Sequence, residues 1–335
     1  MGLGVRCYTS GMTRIARLAL IVVALGTYAG AQTPAPSATV ARHVDRAQLM
    51  RDVAVLAAPA FEGRATGTPG GVRARQWLVE QFTAIGLAPA RDGAYTQPFT
   101  ATTRNTRAIL PGGRRFRAEY DAANVVGRLA GRDVRAATLV MTAHYDHLGV
   151  REGAVYHGAD DNASGVAALL AAARHFTKNP PRHPMVFAAL DAEEIGLQGA
   201  RALVGSNLLP RGRVALNINL DMVSRSGAND IYAAGSYHAP WQTAMLQDVQ
   251  HRASVNILFG HDRPEPRAAG LEDWTRSSDH AAFHEANIPF VYFGVEDHPD
   301  YHKPTDTAER IDARFFGDVA DMIVEAARTF DARLQ

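Results

Sequence analysis

Three short runs in this chain carry side chains that bind metals and move protons. His144-Tyr145-Asp146 sets an imidazole two residues from a carboxylate. Gly158-Ala159-Asp160-Asp161-Asn162-Ala163-Ser164-Gly165 holds two adjacent carboxylates, and Glu193-Glu194 holds two more. They lie within about one βαβ unit's length of one another. Such a donor mix suits a borderline cation such as zinc. The doubled Glu leaves one carboxylate free to act as a base beside one that binds. Asp221 and His302, farther along, are of the same chemical kind. Two divalent ions about 3.5–4 Å apart need a bridging carboxylate and terminal ligands on each side. Asp161 is placed to bridge, His144 and Asp221 to complete one ion, and Glu194 and His302 to complete the other. A water shared by both ions would have its pKa lowered towards neutrality. Glu193 would take that water's proton and pass it to a leaving amine. Asp146 suits an acceptor for the other ring nitrogen of His144.

Each residue alone has a plainer explanation. A His after a strand is more often a hydrogen-bonded structural residue, an Asp pair a helix cap or turn, and a Glu pair a solvated helix face. What weighs against chance is the scaffold. Thr138 to Ala143 (TLVMTA), Met185 to Leu190 (MVFAAL), Val214 to Leu220 (VALNINL) and Ile288 to Val295 (IPFVYFGV) read as buried strands, and Asn124 to Gly127 as a short one. Helical spacing runs over Val72 to Ile85, closed by Gly86, and over Ser164 to Phe176, Ala200 to Val204, Trp241 to Ala253 and Asp312 to Phe330. Alternating strands and helices predict an α/β domain with a mostly parallel central sheet and helices on both faces. In an open α/β sheet, sites form outside the carboxyl ends of the strands. His144, Glu193-Glu194, Asp221 and Tyr301-His302 each follow a strand, and Asp161 opens a helix, so five segments deliver polar residues to one edge.

The composition sets the surroundings. Of 335 residues, 47% are hydrophobic and 21% charged, as in ordinary globular domains. A formal charge of +1 gives no field that would gather nucleic acid or an anionic membrane. At the N-terminus, Arg6, Arg14 and Arg17 precede an apolar run from Leu18 to Gly26, and Ala29-Gly30-Ala31 follows. This reads as a signal peptide over residues 1–31, removed on export to the periplasm or medium and leaving no membrane span. Residues 32–43, rich in Pro, Ala, Ser and Thr, read as a flexible leader, and 44–335 as a single domain. The one cysteine, Cys7, falls in the signal. Any metal must then sit on His, Asp and Glu.

Together HYD, GADDNASG, DAEEIGLQGA, LDM and YHKPTDT, in that order, resemble the motifs of the co-catalytic di-zinc aminopeptidases (metallopeptidase clan MH, family twenty-eight). SSDHAAF and Phe61-Glu62-Gly63-Arg64 with Gly67-Thr68 are similar to further segments of that family. The resemblance covers roughly Val44 to Phe330. It implies a mixed, mostly parallel sheet of the zinc aminopeptidase (phosphorylase/hydrolase-like) type and no protease-associated insertion, since Thr100 to Asn124 is too short for one. It implies two Zn2+ per chain: His144 and Asp221 on one, Glu194 and His302 on the other, Asp161 rather than Asp160 bridging. Glu193 corresponds to the general base, Asp146 to the carboxylate supporting His144, and Tyr301 to a tyrosine that helps stabilise the tetrahedral intermediate. A cis Asp161–Asn162 peptide is also implied. Some relatives carry Arg immediately before SDH; here Arg276 is displaced by one. The implied substrates are peptides with a free N-terminus. Clan relatives that are carboxypeptidases or dipeptidases, a one-zinc glutaminyl cyclase and non-catalytic modules are the alternatives. His147 and His157 read as flanking the site, His280 as structural and His298 as solvated. Trp274 and Tyr237 read as candidates to line the substrate cleft, whose shape the loops from Ser224 to Ser277 would set.

Overall fold

A computed structural model describes residues 41–91, 93–109, 115–263 and 272–335, without the side chains of 104–117. The expected signal and most of the leader lie outside the described residues. Ala41 to His43, expected in the flexible leader, are tied down. The Ala41 N–H donates to the Arg252 carbonyl, Arg42 reaches Asp318, and the His43 N–H donates to Asp321.

In chain order the elements are α1 (Arg46–Leu56), a 3₁₀ stretch (Pro59–Arg64), α2 (Pro69–Ile85), β1 (Ala88–Pro89), β2 (Thr96–Ile109), β3 (Arg115–Leu129), β4 (Thr138–His144), the small hairpin β5 (Val150–Arg151) and β6 (Ala154–Val155), α3 (Gly165–Lys178), β7 (Met185–Leu190), α4 (Gln198–Val204), β8 (Val214–Leu220), β9 (Asp230–Ala234), α5 (Trp241–Gln250), β10 (Asn256–Leu258), α6 (His280–Glu285), β11 (Phe290–Gly294) and α7 (Ala313–Arg333). Helix ends follow local chemistry. Asp45, Thr68 and Asp312 cap α1, α2 and α7 through side-chain oxygens. Pro69 starts α2, and Gly86 ends it at φ 87°, a conformation glycine adopts without penalty.

One mixed sheet runs β1-β3-β7-β4-β8-β11-β9-β10, with β2 also on β3. Its centre, β7-β4-β8-β11, is parallel. The antiparallel pairings lie to either side, at β7·β3, β3·β1, β3·β2 and β11·β9. Alternation along β4 shows how the sheet is covered: Leu139, Met141 and Ala143 pack with α1, α2, α3, α5 and α7, and Val140 packs on the other face with α4 and α6. Polar alternates of that second face bond one another. The Thr142 hydroxyl donates to Asn219 at 2.6 Å, and Asn219 donates to Ser278 at 2.9 Å. This chain of hydrogen bonds fastens the segment before α6 beneath the strand ends. Among the described residues, no helix is long and apolar enough to cross a membrane.

Candidate metal centre

The segments that follow β4, β7 and β8, the turn before α3 and the loop after β11 meet at the carboxyl edge of the parallel strands. The turn over 159–164 is sewn to the segment after β8. Asn162 donates to the Leu220 carbonyl at 3.0 Å and accepts from the Gly165 N–H at 2.9 Å. Asp160 accepts from the N–H and hydroxyl of Ser224, at 2.9 and 2.6 Å. The loop carrying His302 joins through Asp306, whose carboxylate accepts from the N–H groups of Asp160 and Asp161. The Asp161–Asn162 peptide is cis, as the resemblance implied. Ala192, Met222 and His302 hold left-handed backbone, at φ 60°, 55° and 54°. Ala192 precedes the Glu pair, Met222 follows Asp221 and His302 is itself a donor; a conformation costing roughly 1–3 kcal/mol persists there only because the surroundings fix it.

Two donor sets result. His144 Nε2 lies 3.4 Å from Asp161 Oδ1 and 3.2 Å from Asp221 Oδ1. His302 Nε2 lies 3.0 Å from Asp161 Oδ2 and 3.5 Å from Glu194 Oε2. Donors around one tetrahedral zinc, at bonds of about 2.0–2.1 Å, stand roughly 3.3–3.4 Å apart. The observed spacings therefore fit the cation. Asp161 gives a different oxygen to each set. Asp160 is committed elsewhere, to Ser224, Ser164 and His298. His144, Asp161 and Asp221 are buried, whereas the His302 side chain is 39% exposed and faces the solvent side.

The electrostatics favour a cation among these groups. Burial pushes the carboxyls of Asp161 and Glu194 up, Glu194 to about 7, with neighbouring carboxylates adding to the effect. Burial and the charges of Asp279, Asp221 and Glu194 push Glu193 well up, against His144. Burial opposes a charge on His144, yet Asp221 and Glu193 raise it well above the ordinary imidazole value. Burial likewise works against the Asp221 carboxylate, which His144 holds below its usual range. Tyr301 stacks on the His302 ring, centroids 3.9 Å apart. Burial and the nearby carboxylates raise its phenol, which stays protonated.

Asp146 differs from expectation. The nearest acceptor to His144 Nδ1 is the backbone carbonyl of Asp146 at 3.2 Å, with the carboxylate at 3.7 Å. The carboxylate instead accepts from the N–H groups of Glu193 at 3.0 Å and Glu194 at 3.3 Å. It thereby places the Glu pair. Arg276 is a surface residue paired with Glu285. His298, read as solvated, is half-buried and bonded to Asp160. His280 is structural, bonded to the Trp274 carbonyl. Trp274 packs with Phe290 and Tyr292, and Tyr237 is exposed. Part of the loop expected to shape the cleft, 264–271, lies outside the described residues.

Two residues near the centre have partners that the sequence does not reveal. Arg64 is fully buried, and its guanidinium donates to the carbonyls of Leu56, Tyr145, His157 and Gly158. It thus holds the segments of His144 and Asp161 together. His147, read as flanking, is buried against Glu194 and forms a compact group with Asp161 and Glu194. The FEGR segment marks Arg64, but nothing in its spacing points to the carbonyls it binds.

Fold and donor sets together define an α/β protein with carboxylate–imidazole groups able to hold metal beyond its strand ends. The chain belongs to Peptidase family M28, whose model matches residues 124–327. It is 30% identical over 218 residues to Aminopeptidase YwaD of Bacillus subtilis (strain 168), covering 61% of this chain and 43% of that protein. A probable zinc metalloprotease of Phaeosphaeria nodorum is 28% identical over 293 residues, covering 75% of this chain and 57% of its own length. The chain thus spans about half the length of these curated relatives. The crystal structure of BSAP, a zinc aminopeptidase from Bacillus subtilis, superposes with a TM-score of 0.65 at 18% identity, covering 86% of this chain and 95% of that one. At that identity the likeness establishes the fold.

Proposed function

We propose that this protein is a di-zinc metallo-aminopeptidase that removes N-terminal residues from peptides, and that it acts in the periplasm or the medium after loss of residues 1–31. The carrying observation is Asp161, whose Oδ1 lies in one donor set and whose Oδ2 lies in the other. The names of the relatives, an aminopeptidase and zinc metalloproteases, support the same reading.

His144 and Asp221 would hold one zinc, Glu194 and His302 the other, with Asp161 between them. Bound zinc would supply Lewis-acid activation of water and of the scissile carbonyl. Glu193, placed by Asp146 through its own N–H, takes the proton from the attacking water and returns it to the leaving amine. Tyr301, held protonated beside His302, is an N-terminal neighbour suited to donate to developing negative charge. The carboxylates gathered at the edge favour a substrate's α-ammonium, which selects free N-termini.

Zinc titration of the purified protein tests this. Two equivalents per chain should bind and restore activity after chelation. A count of one would point to a cyclase-type relative instead.

A further inference from the structure

We propose that His147 is the hydrogen-bond donor that fixes Glu194 and divides its carboxylate between protein and metal, so setting the affinity of the second zinc centre. This rests on the two-zinc reading. His147 Nδ1 lies 2.7 Å from Glu194 Oε1, a hydrogen-bond length, and 3.7 Å from Asp161 Oδ2. The other oxygen, Oε2, is the one 3.5 Å from His302. The two oxygens of Glu194 thus face different partners. The shorter contact is below the roughly 3.3–3.4 Å that separates two ligands of one tetrahedral zinc. That separates His147 from the ligand set, in which donors stand 3.0 to 3.5 Å apart.

The imidazole cannot drift. Its side chain is fully buried, and it packs so closely on Gly158 that a Cβ there would stand 2.5 and 2.6 Å from ring carbons. The ring can carry an N–H on either nitrogen. Placed on Nδ1, it meets the carboxylate; placed on Nε2, it would meet nothing, because that atom is buried without a partner. Glu194 is then held twice from the same run of residues, at its N–H by Asp146 and at its carboxylate by His147. Groups that orient metal ligands in this way typically contribute 10–100-fold in metal affinity, as an order of magnitude.

The test compares the full chain with His147→Leu and His147→Asn, whose amide nitrogen replaces Nδ1. Zinc affinity is read by competition with a chromophoric chelator, and the ligand set by the visible absorption of the cobalt(II)-loaded protein. The expected result is about a 10–100-fold weaker second zinc in the Leu variant, an unchanged first zinc, and an Asn variant that recovers most of the affinity with the wild-type cobalt spectrum. If the Leu variant fails to fold, His147→Gln, whose amide lies beyond the Nδ1 position, replaces it with the same expectation. Equal loss in the Asn variant with an altered cobalt spectrum would make His147 a ligand and overturn the proposal. Unchanged zinc affinity in the Leu or Gln variant would overturn it too. Failure of the wild-type chain to bind two zinc ions would instead remove the parent reading.

Discussion

At the scale of single residues, division of labour between neighbours organises the centre. Asp161 faces both donor sets while Asp160 holds Ser224 and His298. Glu194 faces His302 while Glu193 stays free of the ligand contacts. Glu193→Gln should therefore keep both zinc ions and lower kcat by about 10²–10⁴; metal analysis beside steady-state kinetics checks this, and near-normal turnover would remove Glu193 as the base. Asp161→Ala should weaken both zinc ions together, whereas Asp221→Ala should weaken one; equal loss in both variants would contradict the bridging geometry. The types and order of these residues were legible in the sequence because metal chemistry restricts them. The atoms were not. Spacing placed Asp146 beside His144 but could not reveal that its carboxylate turns to the Glu193 and Glu194 N–H groups, a contact between segments 47 and 48 residues apart. His147 reads as flanking the site, but its partner Glu194, 47 residues away, is hidden for the same reason.

At the scale of elements, β4, β7 and β8 were readable because burial on both faces makes their sequences continuously apolar. The β2–β3 arm was not: Thr, Arg and Glu residues interrupt its pattern, and only four residues of β3 were recognised. Short strands β9 and β10 and helix α1 carry weak periodicity and depend on tertiary pairing. Arg64 belongs at this scale, because it binds α1's end, the segment after β4 and the turn before α3 in one group. Arg64→Met would take the guanidinium from four carbonyls, of which Gly158 keeps the Ala163 N–H, and should cost about 3 kcal/mol or more in urea unfolding of the zinc-loaded protein. Arg64→Lys should recover only part of this, since an ammonium lacks the planar fork. A loss within about 0.5 kcal/mol for the Met variant would be the cost of an ordinary surface change, and would deny Arg64 this role.

At the scale of the whole molecule, the sheet gathers many carboxyls in one buried edge, and on the proposed function zinc binding and folding should be coupled there. Burial raises Asp191 to about 6 and Asp279 to about 8, with neighbouring carboxylates adding, as it raises Glu194 to about 7. A carboxyl with a higher pKa in the fold binds its proton more tightly there. The stability it contributes is full below the unfolded value near 4 and is lost as pH rises through the folded value. The chelated protein should therefore melt at progressively lower temperature from about pH 5 to pH 8.5. The zinc-loaded protein should resist that decline, since zinc requires deprotonated ligands. Calorimetry of both forms over this range checks the sign, and a chelated protein that gains stability with pH would contradict it. The central claim, a zinc-dependent aminopeptidase, is tested most directly by hydrolysis of aminoacyl-anilides, free and N-acetylated, before and after chelation. Cleavage of the free substrates alone, abolished by chelator and restored by zinc, is the predicted result. Equal cleavage of the acetylated substrates, or activity that survives chelation, would contradict it.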